Sequence, residues 1–221
     1  MFSQDFLNET FLEVMSPQTL YFYRATNKYT YHYITMDKIK NKIIQNIHKE
    51  LKLRLGDKYD LLNDCMNKRQ LILRSEFITN CIWETYDDMD IDFYIFEKEM
   101  GTVEDNIFED LQIKNITYQN IQSYLNFETS WYIKLNTKLY VEVRCSYNHN
   151  DIDWDYDPEL FRCTYNQNKN ILYLPYLSSI MHKKLVIRNN TYYDSEDENY
   201  KDCIDLCKKY DIDIIDYYQP K

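Results

Sequence analysis

The fold is decided by the segment Leu71–Phe96, whose sequence is LILRSEFITNCIWETYDDMDIDFYIF. This pattern predicts a short apolar strand, an amphipathic helix and an acidic strand in direct succession. In a strand, successive side chains point to opposite faces. We therefore expect Asp90 and Asp92 on one face, and Ile91 and Phe93 on the other. Two carboxylates placed in this way are suited to binding a hard divalent cation.

The predicted helix lies between these two strands. Its apolar residues have the spacing of a buried helical face, and they are Phe77, Ile78, Cys81 and Ile82. Ser75 precedes them as an N-cap. A helix that begins directly after a strand presents backbone N–H groups and the positive end of its dipole, which together favour phosphate binding. Phosphate at the helix and metal at the next strand indicate a nucleoside triphosphate site.

This order of elements resembles the nucleotidyltransferase superfamily, in which a Gly-Ser pair opens a helix and an Asp-hydrophobic-Asp motif follows on the next strand. Asp90-Ile91-Asp92 matches the second motif, and 14 residues separate Ser75 from Asp90. The sequence is most similar to the nucleotidyltransferase-like proteins of large (giant) DNA viruses, which have a Phe-Ile-x-x-Cys-Ile helix between the motifs. Ser75-Glu76 stands where the Gly-Ser pair is expected.

The resemblance implies an α+β fold, with a small mixed β-sheet flanked by helices and extra helices at both ends. It also implies that the chain moves a nucleoside monophosphate from a nucleoside triphosphate to a hydroxyl group of an unidentified acceptor. The catalytic metal ligands would be Asp90, Asp92 and Glu142, holding Mg²⁺ or Mn²⁺. From the residues alone, Glu142 is equally well explained as a cross-strand partner of Lys134 or Arg144.

The triphosphate would be held at the start of the helix. The residues implied for this contact are Ser75, Arg74, Lys183 and Lys184. Lys183 and Lys184 also follow a predicted helix that begins at Pro175, and cations at a helix C-terminus are favoured without any ligand.

Two alternatives remain open. A carboxylate at Glu76 would repel a triphosphate, and the loss of glycine adds a Cβ near the ligand. The chain would then be a catalytically degenerate viral protein of this fold, acting as an interaction or structural component. A metal-dependent nuclease could use the same carboxylates, and Asp90 and Asp92 could also be a solvated strand face.

Composition excludes several classes of nucleotide-binding protein. The 221-residue chain has two glycines, Gly56 and Gly101, so it can form neither a P-loop nor a Gly-rich dinucleotide fingerprint. Its net charge of -10 disfavours non-specific binding to nucleic acids or anionic membranes. Neither a signal peptide nor an apolar run of membrane-spanning length is evident. These features predict an intracellular protein, in the host cytoplasm or the virion if it is viral, with reduced cysteines.

Three regions are predicted along the chain: an N-terminal helical and aromatic region (1–66), the nucleotidyltransferase-like core (67–150), and a C-terminal strand and helical region (151–221). In the first region, tyrosines alternate over Leu20–Ile34, which predicts a packed strand or, alternatively, a base-stacking platform. The next pattern predicts a basic helix with Thr35 as N-cap and Gly56 as its end.

The remaining patterns predict a β-hairpin and a mixed C-terminal part. The hairpin strands are Trp131–Leu135 and Leu139–Cys145, with Glu142 in the second. Ile171–Leu174 is predicted as a last short strand before the helix at Pro175. A capping box at Ser195 opens another helix, and Asp211–Tyr218 is a closing strand or tail.

Overall fold

A computed structural model describes residues 9–74, 76–86, 91–96, 129–134, 140–146, 159–187 and 198–216. The helices in these ranges are α1 (Glu9–Val14), α2 (Pro17–Arg24), α3 (Lys28–Tyr33), α4 (Met36–Leu55), α5 (Tyr59–Arg69), α6 (Glu76–Trp83), α7 (Leu177–His182) and α8 (Glu198–Lys209). Short 3-10 turns occupy Gly56–Lys58 and Glu159–Phe161. The strands are β1 (Ile72–Arg74), β2 (Ile91–Phe96), β3 (Thr129–Lys134), β4 (Tyr140–Ser146), β5 (Thr164–Asn166), β6 (Ile171–Tyr173), β7 (Lys184–Ile187) and β8 (Asp213–Asp216).

Six strands form the main sheet, in the order β3-β4-β2-β1-β5-β6. β2 and β4 run parallel, whereas the other neighbouring pairs are antiparallel. A second, two-stranded sheet consists of parallel β7 and β8. The predicted α+β class with a mixed sheet flanked by helices is confirmed, as are the strand, helix and acidic-strand order of the opening segment and the β3–β4 hairpin.

The long helix α4 follows the predicted pattern. The Thr35 side chain accepts a hydrogen bond from the Lys38 backbone N–H at 3.2 Å, and Gly56 ends the helix with φ of 55°. A positive φ of this kind is easily adopted by glycine because it has no Cβ. The apolar residues at steps of four are fully buried, and they are Ile39, Ile43, Ile47 and Leu51. Each contributes about 1.5–3 kcal/mol by leaving water.

The strand prediction over Leu20–Ile34 is wrong, because this segment forms helices α2 and α3. Local capping explains the difference. Ser16 accepts a hydrogen bond from the Thr19 backbone N–H at 3.0 Å, just before Pro17 at the first helical turn. Asn27 and Thr30 form a reciprocal capping box at the start of α3. These caps provide hydrogen bonds that tyrosine alternation alone does not supply.

The C-terminal part contains more strand than predicted. β6 coincides with the predicted strand but is not the last, since β7 and β8 follow it. β8 confirms the closing strand. The predicted helices in 102–125 and the acidic segment 151–157 lie outside the described residues. No helix within the described ranges has the length and apolar character needed to cross a membrane.

One hydrophobic core joins residues from all three predicted regions. It includes Ile47 of α4, Phe77 of α6 and Cys207 of α8. β5 from the C-terminal region also pairs with β1 from the central region. Five cysteines are buried, and they are Cys65, Cys81, Cys163, Cys203 and Cys207. The three-region division itself stays a prediction.

Candidate functional site

The acidic strand β2 separates its residues between two faces. Ile91 and Phe93 are fully buried, whereas Asp92 between them is only partly buried. This is the arrangement expected from strand alternation. Asp90, the other half of the predicted pair, lies outside the described residues. The role of both aspartates as metal ligands stays a prediction.

The parallel pairing of β2 with β4 aligns Asp92 with Glu142. Neighbouring strands lie about 4.8 Å apart, and residues in register occupy the same face of a sheet. The chain therefore places two of the three predicted carboxylate residues side by side at the backbone level. Two acidic residues in this position repel each other unless a cation lies near them.

Asp92 and Glu142 begin a row of residues across the sheet, and Arg74 extends it on the other side of β2. β1 and β2 are antiparallel, with Leu73 paired to Phe93, so the same register extended by one residue brings Arg74 opposite Asp92. Arg74 is only 2% exposed, and it pairs with Thr164 on β5. The row across the sheet thus runs from Glu142 through Asp92 and Arg74 to Thr164. It provides an arginine position directly beside the carboxylates.

Helix α6 begins two residues after Arg74 and lies in the core. Phe77 through Trp83 are all buried. The Thr79 hydroxyl donates a hydrogen bond to the Leu160 carbonyl at 3.0 Å, and the Trp83 indole N–H donates to the Ile180 carbonyl at 2.8 Å. These contacts hold the helix rigidly against its neighbours. Ser75, the predicted N-cap and phosphate-binding residue, lies outside the described residues.

Glu76, the first residue of α6, is in contact with the end of α8. Lys209 Nζ lies 3.2 Å from Glu76 Oε1, and the Tyr210 hydroxyl donates a short hydrogen bond to the same oxygen. The Asn80 amide donates to the Tyr210 hydroxyl at 3.2 Å. Burial and the hydrogen bond to Glu76 raise the pKa of Tyr210. The negative charge of Glu76 therefore has a lysine counter-charge.

Sequence reasoning missed this contact because Lys209 is 133 residues from Glu76. The available signal was weak: Lys208 and Lys209 occupy the last turn of α8, where cations are common in any helix. Nothing in their spacing indicates a partner at the start of α6.

Lys183 lies near the other end of α6. Its Nζ donates a hydrogen bond to the Tyr210 carbonyl at 3.1 Å and lies 5.1 Å from the centre of the Trp83 ring. Trp83 is the last residue of α6, which is about 12 Å long at 1.5 Å per residue. Lys184 is exposed on β7, where it pairs with Asp213. Nucleotide binding by Lys183 and Lys184 stays a prediction.

The described residues contain no group of three histidine, cysteine or acidic side chains that could hold a metal ion. This result does not cover Asp90 or the side chain of Glu142, two of the three predicted ligands. The donors in question are carboxylate oxygens, which are the ligands that Mg²⁺ and Mn²⁺ prefer. The predicted donor set therefore fits the predicted cation in its chemistry.

Comparison with known proteins gives one structural similarity. No protein-family model and no curated protein sequence matches the chain. Among solved structures, a CCA-adding enzyme in complex with CTP is similar, with a TM-score of 0.47 and 12% identity. The match covers 75% of this chain and 38% of that enzyme.

Proposed function

We propose that the chain is a metal-dependent nucleotidyltransferase that moves a nucleoside monophosphate from a nucleoside triphosphate to a hydroxyl acceptor. The observation that supports it best is the register of the parallel strands β2 and β4. This register brings Asp92, which is partly buried, beside Glu142 on one face of the sheet, and β2 is the first described strand after helix α6. Asp90 precedes Asp92 by two residues and completes the carboxylate set.

The carboxylates of Asp90, Asp92 and Glu142 would hold Mg²⁺ or Mn²⁺. When bound, such ions neutralise charge on the attacking and leaving oxygens of an in-line phosphoryl displacement. Asp92 and Glu142 lie on adjacent strands, so the sheet sets the separation of their backbones.

Arg74 and the start of α6 would position the triphosphate. Arg74 lies in the same row as Asp92, so its guanidinium charge balances the carboxylates and can attract phosphate oxygens. Ser75 and the first backbone N–H groups of α6 would contact the phosphates. Lys209 reduces the repulsion expected from Glu76, since it already balances that carboxylate.

Titration calorimetry tests this function with each nucleoside triphosphate in the presence of Mg²⁺ or Mn²⁺. The native chain is compared with the variant Asp90→Ala/Asp92→Ala and with Asp57→Ala, which removes an exposed aspartate from the turn after α4. We expect metal-dependent nucleotide binding by the native chain and by Asp57→Ala, and none by the double variant. Binding that is absent from the native chain, or equal in all three proteins, would contradict the proposal.

A catalytically degenerate interaction protein is the second candidate. The observation that favours it is the contact of Glu76 with Lys209 and Tyr210, which places a paired carboxylate in the first turn of the expected phosphate-binding helix. Ser75→Gly/Glu76→Ser restores the Gly-Ser pair of the superfamily. Glu13→Ser, which changes an exposed residue, is the control. If nucleotide binding appears only in Ser75→Gly/Glu76→Ser, and neither in the native chain nor in the control, the native site has lost its function.

A further inference from the structure

Charge is distributed very unevenly along the chain. Residues 17–58, which form α2, α3, α4 and the turn after them, contain nine lysines and arginines and three aspartates and glutamates. Their net charge of +6 leaves -16 on the remaining residues, since the whole chain carries -10. The helical N-terminal part is thus a basic surface on an acidic protein.

Helix α4 collects this charge into one stripe. Lys38, Lys42, Lys49 and Lys52 follow one another at spacings that place residues on the same side of a helix. Lys38, Lys49 and Lys52 are exposed, while Lys42 is partly buried and donates a hydrogen bond to the Glu13 carbonyl. The opposite side of α4 packs in the core and is joined to α6 by a hydrogen bond from the Asn46 amide to the Cys81 carbonyl at 3.0 Å.

The exposed lysines of this stripe are only partly balanced within α4. Lysines one turn apart repel each other, and Lys38 lies in the first turn of α4, where the helix dipole disfavours a cation. Of the two acidic residues in α4, Glu50 is buried and paired with Arg54 at 2.5 Å, so it does not balance the exposed lysines. This row of exposed lysines is complementary in charge to an anionic partner.

Exposed aromatic rings adjoin the stripe at the N-terminal end of α4. Tyr29 and Tyr31 of α3 are 42% and 50% exposed. Tyr29 stacks on Tyr33 with ring centres 6.0 Å apart, and Lys38 Nζ lies 4.0 Å from the centre of the Tyr33 ring. The Arg24 guanidinium carbon lies 3.8 Å from the centre of the Tyr31 ring. Tyr29, Tyr33 and Lys38 therefore adjoin one another at this end of the stripe. Tyr31 and Arg24 lie toward another side of α3, since residues two apart do not share a helix face.

We propose that this α3–α4 surface, formed by Tyr29, Lys38, Lys49 and Lys52, binds a single-stranded nucleic acid. Lysines neutralise the backbone phosphates, and exposed tyrosines stack on unpaired bases. In a duplex the bases already stack on each other, so the rings would contribute little. The further statement that this strand is the hydroxyl acceptor rests on the proposed nucleotidyltransferase function.

Fluorescence anisotropy with labelled oligouridylate and oligothymidylate, in EDTA and without nucleotide, tests the binding. We expect affinity to fall with salt, with a log–log slope of about -0.7 for each phosphate neutralised. Lys38→Gln/Lys49→Gln/Lys52→Gln should make this slope smaller by about 2. Tyr29→Leu should weaken binding by about fivefold or more with little change in slope.

Matched controls lie elsewhere on the protein. Lys169→Gln/Lys201→Gln/Lys208→Gln removes the same charge from exposed positions outside the α3–α4 surface, and Tyr173→Leu removes a tyrosine that is 55% exposed on β6. Both controls should bind as the native chain does. Circular dichroism of every variant separates loss of binding from loss of folding.

Three results would overturn the inference: no binding by the native chain, equal weakening in the lysine controls, or equal affinity for duplex and single strands. Binding to vesicles of phosphatidylcholine and phosphatidylserine without binding to oligonucleotide would assign the surface to a membrane and also overturn it. Because the assay contains neither metal nor nucleotide, its failure leaves the nucleotidyltransferase proposal standing. Conversely, we expect Asp90→Ala/Asp92→Ala to lose nucleotide binding and to bind oligonucleotide as the native chain does.

Discussion

The two faces of the six-stranded sheet differ sharply, although the same strands form both. On one face, register partners along a single row are buried, and they are Leu73, Phe93, Tyr165 and Leu172. On the other face, the neighbouring row contains Glu142, Asp92, Arg74 and Thr164. Each row is one residue away from the other along every strand, so strand alternation alone separates them.

The apolar row contributes to stability, whereas the polar row contains the residues of the proposed site. Burial explains the apolar row completely, because each large side chain gains stability by leaving water. Burial of apolar surface does not explain the polar row, in which the charge of Arg74 lies beside Asp92 and Glu142. The metal and phosphate site proposed above rests on this row.

The largest effect is expected from truncation in the apolar row. Phe93→Ala removes a fully buried ring from β2 and should lower the free energy of unfolding by about 3–5 kcal/mol. Asp92→Asn, the adjacent residue on the other face, should change it by less than about 1 kcal/mol. Urea unfolding followed by circular dichroism measures both. Equal destabilisation by the two variants would show that the polar row is a structural element and not a binding site.

Much of this comparison could be predicted from the sequence, because it depends on local patterns. The alternation around Asp92, the helix from Phe77 to Ile82 and the long helix after Thr35 are all encoded by spacing within a few residues. Fold class follows from the order of these elements. The viral origin and the roles of Asp90, Asp92 and Glu142 stay predictions.

The rest depends on contacts between distant residues. Nothing near Glu76 indicates that Lys209 will balance it, and nothing near Arg74 indicates that Thr164 will pair beside it. The helices of the tyrosine-rich segment were missed for a different reason. Ser16 and Asn27 act as caps there, and these local hydrogen bonds outweigh the two-residue period of the tyrosines.

The second largest effect on stability is expected from metal binding, which concerns only the polar row. A cation that binds the folded protein alone stabilises it, by about 2.7 kcal/mol when its concentration is one hundred times Kd. We expect Mg²⁺ or Mn²⁺ with nucleoside triphosphate to raise the Tm of the native chain, and EDTA to reverse the change. Asp92→Asn and Glu142→Gln should abolish the increase. Val186→Ala, a partly buried residue of the separate β7–β8 sheet, lowers Tm but should leave the metal-induced increase intact.

A third prediction concerns the pH dependence of stability and His48, which contacts Tyr165 of the apolar row. Both ring nitrogens of His48 form hydrogen bonds, Nδ1 with the Tyr59 hydroxyl at 2.9 Å and Nε2 with the Tyr165 hydroxyl at 3.0 Å. Burial lowers the pKa of His48 from its ordinary value of 6.5, so the unfolded chain binds the proton more readily. The stability from neutral His48 is present above pH 6.5 and decreases as the pH falls toward the lower pKa of the folded protein.

Urea unfolding at about pH 7.5 and about pH 5.5, each about one unit from the ordinary histidine pKa, measures this loss. His48→Gln should make stability less dependent on pH across this interval, whereas the exposed control His32→Gln should not. An unchanged pH dependence in His48→Gln would mean that other groups, including the acidic residues of the polar row, dominate the acid response.

The smallest effect is expected where α8 contacts the start of α6. The Glu76 and Lys209 side chains are 29% and 43% exposed, so solvent screens their attraction, and pairs of this kind contribute about 0.2–1 kcal/mol. A double-mutant cycle with Glu76→Gln and Lys209→Met isolates that coupling from the Tyr210 hydrogen bond, which glutamine can still accept. The stability change should be small, whereas nucleotide affinity should respond strongly to Lys209→Met, because that variant leaves an unbalanced carboxylate beside the expected phosphates. If Lys209→Met leaves nucleotide affinity unchanged, phosphates do not approach the first turn of α6, and that part of the proposed site is wrong.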